Sequence, residues 1–174
     1  PIWETTPYIS TAADIESVGV SAAIDEDGTV YYQVLADGTA APTAADVKTA
    51  GNSTVVSENT ETEINITGLD SGTAYDIYFV AEDDAGNLQA DDEPGMVDVS
   101  TVPEAPVIVG IIAGTYNTDR SFTITGKTGA AIDYSLDGGS SWQGYSSAVT
   151  LSAEGTYEIR ARQTVNGKLS ALSG

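Results

Sequence analysis

Residues 134–142 read YSLDGGSSW and set Ser135, Asp137, Gly139 and Trp142 in the spacing S-x-D-x-G-x-x-W. Two uses suit that set. A carboxylate beside a tryptophan can meet a sugar. The same residues can also fold a tight hairpin, in which Asp137 accepts backbone N–H bonds, the glycines take positive φ and Trp142 packs beneath. Sugar cleavage needs two carboxylates about 5–10 Å apart, with one pKa raised by its surroundings. The chain has 26 acids, but nearly all fall in turns or at outward positions of alternating stretches. It has no His and no Cys, so the commonest general base and the thiolate nucleophile are both missing. No catalytic residue is expected, and the hairpin is the stronger reading of 134–142.

The acids are unevenly spread. Residues 1–102 hold 20 of the 26 and a single base, Lys48, whereas residues 103–174 hold six acids and five bases. A first half of that sign repels nucleic-acid phosphates and anionic lipid. Cations are its natural partners. No apolar run approaches the roughly 18 residues of a membrane helix, so membrane insertion is not expected. The chain begins at Pro1 rather than Met and is expected to be a piece of a longer protein.

Positioning falls to strands. Stretches 3–11, 17–25, 29–37, 62–67, 74–83 and 96–102 alternate with period two, are rich in Val, Ile, Tyr and Thr, and end in turn residues. Pro7 demotes the first to an edge. PTAADVKTAG, 42–51, breaks the pattern: Thr43 as N-cap, Asp46 at N3 and Gly51 as terminator predict a helix of about two turns. Pro103 and Pro106 then form a stiff connector at the charge step. Beyond it, 107–112, 120–125, 131–137, 148–152, 157–164 and 169–173 are strands again. The fold class is all-β, with two tandem antiparallel β-sandwiches at 1–102 and 103–174 and one short helix inserted in the first.

The stretch GLDSGTAYDIYFVAED, 68–83, resembles a fibronectin type III domain at its E–F corner, through Leu69, Gly72, Thr73, Tyr75 and Ala81. The resemblance covers the first half and implies that the Tyr75 hydroxyl bonds to nearby backbone. The second half resembles the small Ig-like domains of bacterial secreted and surface proteins, including the C-terminal sandwich of chitobiase-type enzymes. IDYSLDGGSSW and EGTYEIRARQTVNGKLS carry that likeness. The spacing at 134–142 is also that of the Asp-box of sialidases, but propellers repeat it on several blades and this chain has one copy.

In a fibronectin-type sandwich the B–C and F–G loops share one pole. Here they hold Asp25, Glu26 and Asp27, and then Glu82, Asp83, Asp84, Asp91, Asp92 and Glu93. Oxygen ligands of this kind suit Ca²⁺, and Asp25, Asp27, Asp83, Asp84, Asp91 and Asp92 are the candidate metal residues. Plain turn formation and solubility are the competing reading. Trp142 and Tyr145 could form a sugar-stacking platform or could pack inward. Arg160 and Arg162 share one strand face, with Asp133 as a cross-strand partner. Leu69, Gly72, Tyr75, Asp137, Gly139 and Trp142 are expected to be structural. The function expected is a non-catalytic tandem of modules in a bacterial secreted or cell-surface protein, for spacing, presentation or adhesion. The alternatives are a carbohydrate-binding accessory module and a Ca²⁺-dependent adhesive repeat. The partners expected are neighbouring domains and a cell-surface glycan or protein.

Overall fold

β-branched and aromatic residues at alternate positions favour extended chain, because one face of each strand can then be buried while the other meets water. In the computed structural model, which describes residues 1–90 and 95–174, such stretches form fourteen strands. The chain divides into two compact units, Pro1–Asp70 with Ala74–Thr101, and Ser71–Thr73 with Val102–Gly174.

The first unit comprises β1 (Trp3–Thr11), β2 (Ser17–Ile24), β3 (Gly28–Ala36), α1 (Ala44–Thr49), β4 (Asn52–Val56), β5 (Thr62–Thr67), β6 (Ala74–Asp83) and β7 (Gly95–Ser100). They make a three-stranded sheet in the order β1-β2-β5 and a four-stranded one in the order β4-β3-β6-β7, all antiparallel. Val18, Val20, Ile24, Ile64 and Ile66 from the first sheet close on Val30, Ile77, Phe79, Val97 and Val99 from the second. Pro7 lies in edge strand β1, where the register slips between Thr5 and Tyr8. An edge with an irregular ladder tolerates the missing N–H.

Two features go beyond simple alternation. β6 is buried from Asp76 to Ala81 on both faces. The reason is α1: Ala44 and Val47 pack on Tyr78 and Val80, with Tyr31, Leu35 and Leu88 around them, and form a second apolar cluster on the outer side of the sheet. A Thr43–Asp46 capping box starts the helix, and Gly51 follows its last turn at φ +86°. On the other sheet, the outward positions of β2 are small: Gly19, Ser21 and Ala23, all buried. Side chains from the flanks close over them. The Tyr8 hydroxyl donates to Glu61 (3.1 Å), and the Thr11 hydroxyl donates to Glu63 (2.6 Å).

The second unit comprises β8 (Val107–Val109), β9 (Arg120–Thr125), β10 (Ala131–Ser135), β11 (Gln143–Gly144), β12 (Val149–Leu151), β13 (Arg160–Val165) and β14 (Lys168–Leu169). Its sheets run β12-β9-β8 and β11-β10-β13-β14. With β8 matched to β1, β9 to β2 and β12 to β5, this repeats the strand order of the first unit. The core is smaller: Phe122, Ile124 and Ala161, ringed by Ile108, Ile132, Tyr134, Leu136, Val149 and Leu151. Phe122 meets Tyr134 edge-on at 6.1 Å between ring centroids. Gln163 is buried in it, and its amide is satisfied at both ends, accepting from Lys127 N–H (2.8 Å) and donating to Glu104 C=O (2.7 Å).

The strands expected at 3–11, 62–67, 74–83 and 120–125 have the bounds found here. β4 and β11 were not anticipated. β4 opens with Asn52, Ser53 and Thr54 straight after Gly51, a composition typical of loops. β11 has only two residues.

Candidate functional site

The 134–142 motif begins on the last residues of β10 and turns back toward β11. Ser135 is buried and central: its hydroxyl donates to Asp137 Oδ1 (2.7 Å), and its oxygen accepts from Asp137 N–H (3.2 Å) and Gly139 N–H (2.8 Å). Asp137 also accepts from Ser141 N–H (2.8 Å) and the Ser141 hydroxyl (2.6 Å). The Ser141 hydroxyl, then that of Ser135, holds the Asp137 carboxyl well below the usual carboxylate range. Gly138 and Gly139 take φ of +74° and +101°, the left-handed conformation such a turn needs. Gly138 N–H reaches Glu158 C=O at 2.9 Å. Every oxygen that could face a sugar on Asp137 is thus engaged within its own turn.

Trp142 lies half-buried beside this turn, with the Arg162 guanidinium 4.1 Å over its ring. Arg162 sits directly across the ladder from Asp133 and bonds to it at 3.2 Å. Arg160 pairs instead with Glu158 at 2.7 Å. Tyr145 turns inward, packed on the core cluster and edge-on to Tyr134 at 6.4 Å. The two aromatic residues do not form a joint flat platform: one ring carries a guanidinium, and the other belongs to the core rim.

At the corner before β6, the Tyr75 hydroxyl accepts Asp70 N–H at 2.9 Å, Leu69 is buried in the main cluster and Gly72 has φ +56°. Of the loop acids named as candidate metal residues, three make local hydrogen bonds. Asp25 accepts Ile2 N–H (2.7 Å) and Asp27 accepts Glu58 N–H (2.8 Å). Asp83 accepts both the backbone and side-chain N–H of Asn87 (2.8 and 2.6 Å), and the side-chain bond first, then the backbone one, lowers its pKa. Asp84 is exposed, and Asp91 and Asp92 lie outside the described residues. Among the described residues, the three carboxylates that gather within 4.8 Å of one another are Asp37, Asp76 and Asp98. Asp76 and Asp98 face each other across β6 and β7, and Asp37 follows β3. Asp76, the buried member, accepts Gly38 N–H at 3.0 Å. Nothing in the alternation of single strands points to this trio, because it depends on which residues the register sets opposite each other.

The other polar cluster of the first unit joins α1 to β6. Lys48 Nζ lies 2.6 Å from Glu82, whose second oxygen accepts the Tyr31 hydroxyl at 2.9 Å. Lys48, then Tyr31, lowers the Glu82 pKa, and Glu82 in turn raises both of theirs. The one base of the first unit therefore ties the helix to the sheet.

Across 99% of its length, the chain is similar to a two-domain fibronectin type III segment from chicken tenascin, with 97% of that chain covered, 14% identity and a TM-score of 0.51. The fold is that of a fibronectin type III pair. No family model matches the chain, and no curated protein matches it. Asp137, Tyr75 and Arg162 are each engaged in a turn, corner or ladder of their own sandwich.

Proposed function

We propose that the chain is a non-catalytic pair of modules from a bacterial secreted or cell-surface protein, whose work is spacing, presentation or adhesion. By its sequence, the second module resembles the Ig-like domains appended to bacterial secreted enzymes. The observation that carries the reading is the use made of the reactive-looking residues. Asp137 closes a hairpin, Tyr75 braces a corner, and Trp142 is stacked under Arg162. The acidic surface of the first module supports it too, since such a surface stays soluble and repels anionic polymers.

Protease treatment of intact source cells, followed by mass spectrometry of the released peptides, tests the placement. Peptides of this chain should appear before lysis. Their recovery only after lysis overturns it. Binding of the purified chain to a polysaccharide, abolished by Trp142→Ala, would replace spacing with carbohydrate recognition.

A further inference from the structure

We propose that two copies of this chain pair through the free edge of β8, strand against strand about a two-fold axis. β8 ends its sheet, and among the described residues Val107–Val109 makes backbone hydrogen bonds to β9 alone. One row of N–H and C=O groups is left for another strand. Edges are normally guarded by a charge, a proline or an irregular ladder. The matching strand of the first unit, β1, has Glu4, Pro7 and slips of register. β8 has none of these, and residues 105–118 carry no charge in a chain of net −20. The face beside the edge is of the same kind. Val107 (59% exposed) and Val109 (49% exposed) stand opposite Thr125 and Thr123 of β9, and Ser121 of β9 stands opposite Thr150 of β12. All six are exposed and uncharged.

Two observations point to a second copy as the occupant. Val107, Ile108 and Val109 read the same in both directions. An antiparallel pair centred on Ile108 therefore sets each Val107 against the partner's Val109, one β-branched side chain against another, as a two-fold axis requires. The charge agrees. Residues 1–102 hold 20 acids and one base, so copies repel one another. Residues 103–174 hold six acids and five bases, and copies can meet there at an uncharged edge. An acidic partner is repelled by the first unit, and a basic one is drawn to it instead. A ladder of three residues buries less than the roughly 1,200 Å² of a standard interface, so the pairing is weak, with a Kd on the order of 0.1–1 mM.

The test is a dilution series of the whole chain from about 2 mM to about 20 µM, read by amide NMR and translational diffusion. The Val107–Val109 amides should shift along a saturable dimer curve, and diffusion should slow as the dimer fills. Added NaCl should tighten the pairing, because it screens the repulsion between acidic copies. Val107→Lys with Val109→Lys, both at exposed positions, should weaken it by about tenfold or more and leave the rest of the spectrum in place. Val107→Lys with Val109→Glu should pair again, since the two-fold register sets lysine against glutamate. The proposal is overturned if the β8 amides and diffusion are constant through the series, if the double lysine variant associates as the parent does, or if the lysine–glutamate variant stays monomeric. Concentration-dependent shifts at Val149–Leu151, on the opposite edge of the sheet, would also overturn it, because they mark an open head-to-tail chain of copies.

Discussion

Gly19 offers a sharp test of the packing, because two effects of opposite sign meet there. Replacing a glycine by alanine in extended chain normally stabilises, by about 0.4–1 kcal/mol, since the unfolded chain loses freedom. At Gly19 a Cβ would sit 2.7 Å from Thr11 Cβ and 2.5 Å from Glu63 Oε1. Directly opposed Cβ atoms in an antiparallel pair are normally about 4.5–5.5 Å apart. The register slip between Ile9 and Thr11 brings Thr11 over β2, and only a glycine leaves room beneath it. The Glu63 carboxylate is the end of a flexible chain and can swing away, but Thr11 Cβ is fixed to its backbone. Overpacking should win, so Gly19→Ala should destabilise by about 1–3 kcal/mol, about 4–20 °C in melting temperature for a unit of this size. Urea denaturation of the single and double variants measures it. Thr11→Gly should recover at least about 1 kcal/mol of coupling with Gly19→Ala in a double-mutant cycle, whereas Glu63→Ala should recover little. A Gly19→Ala protein more stable than its parent, or a Thr11 coupling near zero, would refute the steric account.

Other outcomes follow from the same contacts. Tyr75→Phe should cost about 1 kcal/mol by urea denaturation, the usual net worth of one hydrogen bond, here the one to Asp70 N–H. Gln163→Ala strands Lys127 N–H and Glu104 C=O and should cost about 2–3 kcal/mol in the second unit, read by the same assay. Asp137 is depressed in the folded state, so the unfolded chain takes up its proton first. The stability it contributes is complete above the unfolded pKa near 4 and is lost as pH falls through the folded value. Melting curves should therefore show the advantage of the parent over Asp137→Asn at neutral pH shrinking below about pH 4. Asp98→Asn removes a like charge directly opposite Asp76 and should stabilise by about 0.5 kcal/mol in thermal melts.

The legible parts of the fold are those in which local chemistry and tertiary packing agree. β5 and β9, TEINIT and RSFTIT, alternate in sequence and in burial alike. The helix was legible because Thr43 and Asp46 are a capping box whose bonds are local. Where a distant element decides, sequence reasoning falls short. The buried outer face of β6 needs α1 upon it, and the Asp37, Asp76 and Asp98 trio needs the β6–β7 register. Gln163 stands in the inward phase of β13 with Ala161, but its polar type gives no sign that two backbone groups, at Lys127 and Glu104, engage its amide there. Arg162 could be assigned to Asp133 from strand periodicity, but the stack on Trp142 depends on where the turn after β10 delivers the indole.

The helix inserted between β3 and β4 changes what the first module can offer to a partner. With Val47 and Ala44 seated on Tyr78 and Val80, the middle of that sheet is sealed beneath a third layer. What the first module leaves uncovered by the helix includes its described loops and the face where Tyr8 and Thr11 reach over β2. The sealed strands should keep their amide protons longest in heavy water, and Phe79 and Val80 should be among the last to exchange.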